Sequence, residues 1–242
     1  MAELFLSVVI PCYNESGRIE KGLSTIIDYL KQQSYQSEVV LVDDGSTDKT
    51  RILAQELLKN FPQHKLLVKP VNQGKGRAIK SGMLGACGKF ILFTDIDLST
   101  PIAQLENLLK SLELNDIAIG VRRHKQAHIL KHQSHLREFF GACFTKICNL
   151  LATPGIADAT CGFKLFKQKA ARRIFAKSML DKWAFDAEIL FLARKYNFSI
   201  AQIPVTWAND ERTKVHLFQD GLQAFVDLLR IRWWDLRGEY GY

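Results

Sequence analysis

A regular alternation of apolar runs and amphipathic segments through residues 1–120 constrains the fold more than any other feature of the sequence. The strand-like runs are LFLSVVIP, EVVLVDD, KLLVKP, KFILFTD and DIAIGVR, and the segments between them carry apolar residues at helical spacing. Apolar residues fill the runs instead of alternating with polar ones, which is typical of strands buried on both faces. The pattern therefore predicts an α/β fold with a Rossmann-like, mostly parallel sheet flanked by helices.

Composition and charge narrow the class of protein. The 242 residues are 47% apolar and 24% charged, as expected for one globular domain. A formal net charge of +8 favours a partner with phosphates: a nucleic acid, a nucleotide or an anionic membrane face. No signal-peptide pattern, membrane-length apolar run or C-x-x-C pair is present, so we expect a reduced, cytoplasmic protein.

Paired carboxylates follow two of the strand-like runs. Asp43 and Asp44 close EVVLVDD, and Asp95 and Asp97 follow KFILFT. Open parallel sheets bind ligands at the carboxyl ends of their strands, so both pairs are candidates for a binding site. Carboxylate oxygens suit Mg²⁺ or Mn²⁺ beside a diphosphate, and they also accept hydrogen bonds from ribose hydroxyls. Both segments fit simple turns that cap the next helix as well, and the sequence leaves that alternative open.

The segment NQGKGRAIKSG lies between the two carboxylate pairs and combines glycine with basic residues. Gly74 and Gly76 permit close approach of the backbone to a ligand, and Lys75 and Arg77 bring charge to a helix start, where anions bind. The spacing matches neither a Walker loop nor a dinucleotide fingerprint. A capped helix with solvated basic residues is the alternative interpretation.

Ordered motifs in this chain resemble those of family-2 glycosyltransferases with the GT-A fold: VVIPCYNE, VDDGSTDKT, NQGKGRAIKSGM and FTDIDLSTP. The later motifs DATCGFKLF, WAFDAEILFLA and IPVTW are similar to those of the dolichyl-phosphate glucosyl- and mannosyltransferase branch, and are closer to the glucosyltransferases. The resemblance implies one catalytic domain over residues 1–242. It would comprise a nucleotide-binding half at 1–120, an acceptor-binding half at 121–215 and a C-terminal amphipathic helix at 216–242.

The resemblance also implies which residues contact the nucleoside of a nucleotide-sugar donor. Pro11, Tyr13 and Glu15 would border the base and ribose. Asp43 and Asp44 would hold the uracil or guanine base and the ribose.

A second set of residues is implied for the diphosphate of the donor. Lys75 and Arg77 would lie near the nucleotide. Asp95 and Asp97 would form the D-x-D pair that holds Mg²⁺ or Mn²⁺, with Asp97 the main metal ligand and Ser99 an additional contact.

A third set is implied for the acceptor and the closing of the site. Arg122 and Arg137 would grip the phosphate of a lipid acceptor. Lys214 would close over the diphosphate, with help from Arg212. Asp158 is a fallback general base, although a role as a turn residue is equally compatible with the sequence.

The implied reaction is an inverting, metal-dependent transfer of a hexose, with glucose from UDP-glucose expected, to a polyprenyl phosphate. Such a phosphate is ionised near neutral pH because its second pKa is about 6, so cations that position it matter more than a general base. The expected partners are the nucleotide-sugar donor, the polyprenyl-phosphate acceptor and the cytoplasmic face of a membrane, which a peripheral protein would contact.

Two alternatives stay open from the sequence, while the intact D-x-D and downstream motifs count against a third, a nucleotide-sugar-binding protein without turnover. The same fold could transfer a sugar to a soluble or protein-bound hydroxyl acceptor. A non-catalytic basic module that binds nucleic acid is the alternative from another class, although no nucleic-acid-binding motif is present and no nucleic-acid partner is expected.

Two further segments, the basic, histidine-rich stretch 121–150 and the tail, permit more than one structural interpretation. On a helix, one stripe would hold His124, His128, His132 and His135, which favours a solvated basic face or an acceptor- or membrane-facing segment over zinc. Arginines flank a helical apolar pattern in the tail, which fits an interfacial helix or a helix packed on the core. The apolar residues of that pattern are Leu222, Phe225, Val226, Leu229, Trp233 and Leu236.

Overall fold

The structure is a computed structural model that describes residues 4–210, 212 and 217–241. The strands are β1 Leu6–Cys12, β2 Ser37–Asp43, β3 His64–Val68, β4 Phe90–Thr94, β5 Ile117–Val121, β6 His128–Lys131, β7 Phe163–Lys167, β8 Ile200–Pro204 and β9 Thr206–Ala208. The helices are α1 Ile19–Lys31, α2 Thr50–Leu58, α3 Lys75–Gly85, α4 Leu105–Ser111, α5 His135–Leu151, α6 Gln168–Lys177, α7 Phe185–Lys195 and α8 Leu217–Leu236. A short 3-10 turn, Ile102–Gln104, leads into α4.

The main sheet has seven strands in the order β3-β2-β1-β4-β7-β5-β8. All neighbours are parallel except β7, which runs antiparallel to β4 and β5. The chain winds outward from β1 to β3 and then returns to place β4 on the other side of β1. The strand order therefore reverses between β1 and β4, which is where an open α/β sheet binds its ligand.

Both faces of the sheet are covered, as the uninterrupted apolar runs predict. Val9 and Phe93 belong to a core cluster on one face, and Val8, Ile10 and Leu92 belong to a cluster on the other. All five side chains are fully buried. This two-sided burial explains why the strands read as apolar runs, and the predicted α/β, mostly parallel fold is confirmed.

The prediction of a histidine stripe on one helix is wrong. His124 lies in a turn, His128 is the first residue of β6, and α5 begins only at His135. The strand β6 exists because it pairs with β9 in a separate two-stranded sheet, a long-range contact that local periodicity does not reveal. His132 is exposed, and its ring lies 2.8 Å from the carboxylate of Glu138.

The C-terminal helix α8 packs against α5 and α7. Its residues Ala224, Leu228 and Ile231 are buried in the core cluster that also contains Val9. Within residues 4–210, 212 and 217–241, no helix is both long enough and apolar enough to cross a membrane. The division of the chain into nucleotide-binding, acceptor-binding and C-terminal parts stays a prediction.

Candidate active site

A cavity of about 720 Å³ opens at the carboxyl ends of β1 and β4, where the strand order reverses. This volume lies within the range of small-molecule sites. Most of the residues predicted for the donor site line it, together with one residue predicted for the acceptor: Pro11, Tyr13, Glu15, Asp44, Lys75, Asp95, Asp97, Ser99 and Arg122. Arg212 is also part of the lining. Residues from both halves of the sequence thus meet around one cavity.

Asp95 and Lys75 form an ion pair on one side of the cavity. The Lys75 Nζ lies 2.7 Å from Asp95 Oδ1 and 2.9 Å from Oδ2. Burial opposes the charge of Lys75, but the Asp95 carboxylate outweighs it and raises the pKa of the amine. The same Nζ lies 5.5 Å from the ring centre of Trp183, which also lines the cavity. A cation is therefore already favoured beside Asp95.

Asp97 lies in the turn that follows β4, where Leu98 adopts a left-handed backbone with φ of 50°. This turn lets Asp97 Oδ1 accept a hydrogen bond of 2.9 Å from the Ser99 N–H. Arg18 approaches the other oxygen, Oδ2, at 3.9 Å. Burial and the neighbouring charge of Asp95 raise the pKa of Asp97. The ionised carboxylate is thus short of positive charge, which a metal cation would supply.

The pair Asp95 and Asp97 fits a divalent cation with oxygen ligands. Among the described residues, no group of three or more histidine, cysteine, aspartate or glutamate side chains could hold a metal by itself. Mg²⁺ and Mn²⁺ do not need such a cage, since they are commonly held by one or two carboxylates together with phosphate oxygens and water. The two carboxylates would hold the metal, and a bound diphosphate would complete its ligand shell.

Asp43 is the last residue of β2 and Asp44 follows it, and both organise the loops beside the cavity. Asp43 is buried, and its Oδ1 accepts a 3.1 Å hydrogen bond from the Ser46 N–H. Its side chain therefore stabilises the turn after β2. Asp44 lines the cavity and accepts hydrogen bonds from the backbone N–H groups of Gln73 at 3.1 Å and Gly74 at 2.8 Å. The turn chemistry suggested by the sequence is therefore present, and Asp44 also faces the cavity.

Arg122 extends from the end of β5 and is held in place by Asp158. Its Nε lies 2.6 Å from Asp158 Oδ2, its Nη2 lies 2.8 Å from Oδ1, and its backbone N–H donates to Oδ2 at 3.0 Å. Thr160 accepts a further 2.8 Å bond, and the guanidinium lies 5.3 Å from the ring centre of Trp207. These contacts fix a positively charged side chain in the lining of the cavity that also contains Asp95 and Asp97.

The geometry does not support a role for Asp158 as a general base. Its side chain is completely buried, and burial is outweighed by the charge and hydrogen bonds of Arg122, which hold its pKa well below the usual range. A carboxylate that is so strongly stabilised in its ionised form is a poor proton acceptor near neutral pH. Asp158 is better described as the residue that orients Arg122.

Three predicted site residues are not among those that line the cavity in the described part of the chain. Arg77 is exposed and lies 3.7 Å from Asp181, and Arg137 lies on the first turn of α5, four residues beyond Gln133 of the lining. Asp43 is buried at the end of β2. Lys214 lies outside the described residues, so the predicted closing contact stays a prediction.

Sequence reasoning missed a charged network at the cavity edge. Arg18 pairs with Glu15 and lies 3.2 Å from Asp210, which also binds Arg212 at 2.8 Å. The Arg212 side chain donates a 3.1 Å hydrogen bond to the carbonyl of Gly17. These contacts join the segment after β9 to the start of α1. Since the two segments are distant in the sequence, no local motif indicates the network.

A second group of contacts that the sequence did not reveal supports the loop that carries Trp183. The buried Glu188 of α7 accepts hydrogen bonds from the N–H groups of Met179 at 2.8 Å and Leu180 at 2.9 Å. The hydroxyl of Tyr240, near the end of the described chain, donates to Glu188 at 2.8 Å. The C-terminal turn thereby helps to hold the 178–184 loop against the cavity.

The fold and the cavity define a class of protein. A GT-A sheet with a D-x-D carboxylate pair after β4 and a fixed arginine in the same cavity is the arrangement of a nucleotide-sugar-dependent glycosyltransferase. Residues 7–175 match the family described as Glycosyl transferase family 2, and the chain belongs to this family. The resemblance inferred from the motifs is thereby confirmed.

Similar proteins support the same conclusion over nearly the whole chain. The chain is 36% identical to the dolichyl-phosphate beta-glucosyltransferase of Dictyostelium discoideum, over 97% of this chain and 76% of the relative. The identity is 35% to the Homo sapiens protein of that name, covering 94% and 74%, and 34% to that of Saccharomyces cerevisiae, covering 98% and 77%. The chain is therefore a glycosyltransferase.

Solved structures share the fold at low sequence identity. Mannosyl-3-phosphoglycerate synthase from Rubrobacter xylanophilus superposes with a TM-score of 0.72 at 18% identity, over 98% of this chain and 75% of that one. Glucosyl-3-phosphoglycerate synthase from Mycobacterium tuberculosis, solved with Mn²⁺, UDP-glucose and phosphoglyceric acid, gives a TM-score of 0.68 at 18% identity, over 99% and 81%. These similarities confirm the GT-A fold.

Proposed function

We propose that this chain transfers glucose from UDP-glucose to the phosphate of a dolichyl-type polyprenyl phosphate. The names of its relatives support glucose and a dolichyl-phosphate acceptor. The mycobacterial structure with UDP-glucose shows that a related fold accepts this donor. The observation that carries the proposal is that Arg122, held in place by Asp158, lines the same cavity as Asp95 and Asp97, because it supplies an anion-binding group for an acceptor beside the candidate donor site.

The carboxylates of the cavity support an acceptor that needs no deprotonation. Asp44 binds backbone N–H groups, Asp95 binds Lys75, and Asp97 binds the Ser99 N–H. Glu15 and Asp210 also line the cavity, and both pair with Arg18. Within the described residues, no histidine lines the cavity. A phosphate acceptor is already ionised and can attack the anomeric carbon when the arginine orients it.

The donor side would stabilise the departing nucleoside diphosphate. Lys75 is placed to exchange its contact with Asp95 for the diphosphate, and Arg18 lies close enough to Asp97 to add positive charge. A divalent metal held by Asp95 and Asp97 would neutralise the charge that develops on the leaving group. The choice between Mg²⁺ and Mn²⁺ is part of the proposal, as is the assignment of roles to the individual residues.

The acceptor implies where the enzyme works. A polyprenyl phosphate resides in a membrane, so we expect the chain to act as a peripheral protein at the membrane surface. The cytoplasmic face stays a prediction. Among the alternatives considered from the sequence, a non-catalytic nucleic-acid module does not agree with membership of the glycosyltransferase family.

A transfer assay tests the proposal. Purified protein should transfer radiolabelled glucose from UDP-glucose to dolichyl phosphate with Mn²⁺ or Mg²⁺, and EDTA should abolish the transfer. GDP-mannose as donor and dolichol as acceptor should give little product. Arg122→Gln should raise the acceptor KM by about tenfold or more, because a charge-assisted contact to phosphate is lost. Arg51→Gln, which changes an exposed arginine of α2, serves as the matched control.

Specific outcomes contradict the proposal. Efficient transfer to dolichol or to a soluble sugar, with little effect of Arg122→Gln, would favour the hydroxyl-acceptor alternative. A preference for GDP-mannose would retain the fold and the acceptor but overturn the proposed donor.

A further inference from the structure

Within the described residues, three aromatic side chains line the cavity: Tyr13, Trp183 and Trp207. Tyr13 follows β1 and is one of the residues predicted to border the nucleoside. Trp207 is only 9% exposed, and the guanidinium of Arg122 lies 5.3 Å from its ring centre, so this ring already has a partner in the fold. Trp183 is 36% exposed, and none of the predicted donor or acceptor contacts involves it.

Trp183 faces the cavity although the residues that follow it are buried. Ala184 and Phe185 are each 1% exposed, and the Phe185 ring lies 6.0 Å from that of Phe93 in β4. A tryptophan in contact with water forgoes the large stabilisation that burial of its ring would give. Ligand cavities commonly expose aromatic side chains, because the ligand covers them when it binds. The position of Trp183 therefore indicates a ligand contact.

The loop that carries Trp183 packs directly on the start of α3. A Cβ atom at Gly74 would lie 2.5 Å from the Asp181 carbonyl oxygen, and one at Gly76 would lie 2.6 Å from that of Leu180. Both distances are too short for a side chain, so the two glycines permit this close approach. In the structure they bring the chain's own loop against the helix, and the backbone of Trp183 is held in place there.

Trp183 lies beside the part of the cavity that is expected to hold the diphosphate of the donor. Its ring centre is 5.5 Å from the Lys75 Nζ, which is 2.7 Å from Asp95 Oδ1. The nucleoside is expected at the ends of β1 and β2, where Tyr13 and Asp44 line the cavity. In a nucleotide-sugar, the diphosphate joins the nucleoside on one side to the hexose on the other. Because Tyr13 serves the nucleoside end, the aromatic ring beside the diphosphate residues is available to the hexose.

The flat surface of an indole ring suits a hexose such as glucose. Its hydroxyls at carbons 2, 3 and 4 are equatorial, so C–H groups form much of both faces of the pyranose ring. Such a face can pack on an aromatic ring while the hydroxyls at its edge remain free for hydrogen bonds. The weakly positive hydrogens of the C–H groups also match the negative face of the aromatic ring.

We propose that Trp183 is the stacking contact for the hexose of the donor, and therefore a residue that distinguishes UDP-glucose from UDP. The inference deepens the proposed function and rests on it, because it takes the donor to be a nucleotide-sugar. A hexose stacked on Trp183 has fewer orientations in the cavity. Its anomeric carbon is thereby held in position for attack by the acceptor.

Calorimetric titration of the purified chain with UDP-glucose and with UDP, both with Mn²⁺, tests the inference. Trp183→Ala should weaken the binding of UDP-glucose about tenfold, because the apolar contact with the sugar is lost. The same variant should keep the wild-type Kd for UDP, which also shows that it is folded. Trp183→Phe should weaken UDP-glucose binding only about threefold, since a smaller aromatic ring still stacks on the sugar.

The matched control is Trp233→Ala, which removes a tryptophan that is 59% exposed on α8 and lies outside the described lining of the cavity. It should bind both ligands as the wild type does. Tryptophan fluorescence provides a second measurement. UDP-glucose should quench the emission of the wild type more than UDP does, and Trp183→Phe should remove that difference.

Two outcomes overturn the inference. One is an equal loss of affinity for UDP-glucose and UDP in Trp183→Ala, which would assign the ring to the nucleotide instead of the sugar. The other is unchanged affinity of this variant for both ligands.

The proposed function can fail separately from this inference. If the wild type binds GDP-mannose in place of UDP-glucose, the same titrations are made with GDP-mannose and GDP. A loss confined to GDP-mannose in Trp183→Ala would then support the stacking contact and overturn only the proposed donor. If Trp183→Ala loses affinity for UDP-glucose alone, but the wild type transfers no glucose to dolichyl phosphate, only the proposed acceptor is wrong.

Discussion

Two charged parts of the cavity lining, which we call the acidic side and the basic side, hold their charges in different ways. On the acidic side, Asp95 and Asp97 are partly exposed, and the partner of Asp95 is the flexible side chain of Lys75. On the basic side, Arg122 is held by the completely buried Asp158 and by Thr160. We therefore expect the acidic side to exchange its cation for a ligand, and the basic side to act as a preformed site for an anion.

This difference fits a reaction that joins two anionic substrates. The donor arrives as a diphosphate whose charge must be neutralised as it leaves, and exchangeable contacts suit a group that binds and departs. The acceptor must be oriented toward the anomeric carbon, and a rigid guanidinium suits that purpose. The variants below therefore separate effects on the donor from effects on the acceptor.

The largest effect is expected for Asp97→Asn, on the acidic side. Loss of this carboxylate should lower kcat by about 10²–10³-fold, the range seen when one preorganised electrostatic group is removed from an active site. The same change should slightly raise the melting temperature of the metal-free protein. Burial and Asp95 raise the pKa of Asp97, so its ionised form weakens the fold near neutral pH. Turnover assays and calorimetry measure both effects.

Asp28→Asn, which changes an exposed carboxylate of α1, is the control for this experiment and should alter neither quantity. A lower melting temperature for Asp97→Asn would show that the carboxylate stabilises the fold. Together with normal turnover, it would remove Asp97 from the catalytic site.

The sequence was most informative about the acidic side, for a physical reason. Its residues follow directly after buried strands, and strand ends in a parallel sheet converge on one edge. Asp44, Asp95 and Asp97 could therefore be placed together from the local pattern alone. The apolar runs predicted the sheet in the same way, because strands that are buried on both faces consist almost entirely of apolar residues.

The basic side and the acceptor region were less predictable because their structure depends on long-range contacts. The sequence suggested that Asp158 is a turn residue or a general base. Only its contact with Arg122, 36 residues away, shows that it positions a cation. The histidine-rich stretch read as a helix, but pairing with β9 makes part of it a strand. The apolar pattern of α8 was recognised, yet the sequence could not tell which face the core would cover.

A smaller but specific effect is expected for Asp158→Asn, on the basic side. The variant should be less stable near neutral pH by about 3 kcal/mol, at the low end for a broken buried ion pair, because Arg122 keeps access to water in the cavity. The acceptor KM should rise while the donor KM stays constant, since the guanidinium loses its orientation. Urea unfolding and initial rates with a short-chain acceptor measure these changes.

The stability difference should also depend on pH in a definite direction. Arg122 depresses the pKa of Asp158 in the folded state, so the carboxylate contributes stability above its unfolded pKa of about 4. That contribution is lost as the pH falls through the folded pKa, and the gap between wild type and Asp158→Asn should narrow below about pH 4. Asp227→Asn, another buried aspartate paired with an arginine, should cost stability without raising the acceptor KM.

The smallest expected effect concerns the support of the acidic side by the C-terminal turn. Tyr240→Phe removes the 2.8 Å hydrogen bond to Glu188, which should cost about 1 kcal/mol of stability. Glu188 keeps its bonds to the N–H groups of Met179 and Leu180, so the loop that carries Trp183 should loosen without detaching. We therefore expect the donor KM to rise about twofold, an effect well under 1 kcal/mol, with the acceptor KM unchanged.

Tyr196→Phe provides a close comparison for this last variant. The Tyr196 hydroxyl donates a 2.7 Å hydrogen bond to the carbonyl of Tyr240, so it ties down the same turn without contacting Glu188. Both variants should lose similar stability in urea unfolding, but only Tyr240→Phe should change the donor KM. Equal effects on the donor KM would mean that the whole C-terminal turn, rather than the contact with Glu188, supports the loop beside the cavity. An acceptor KM that changes more than the donor KM would show that this loop serves the basic side instead.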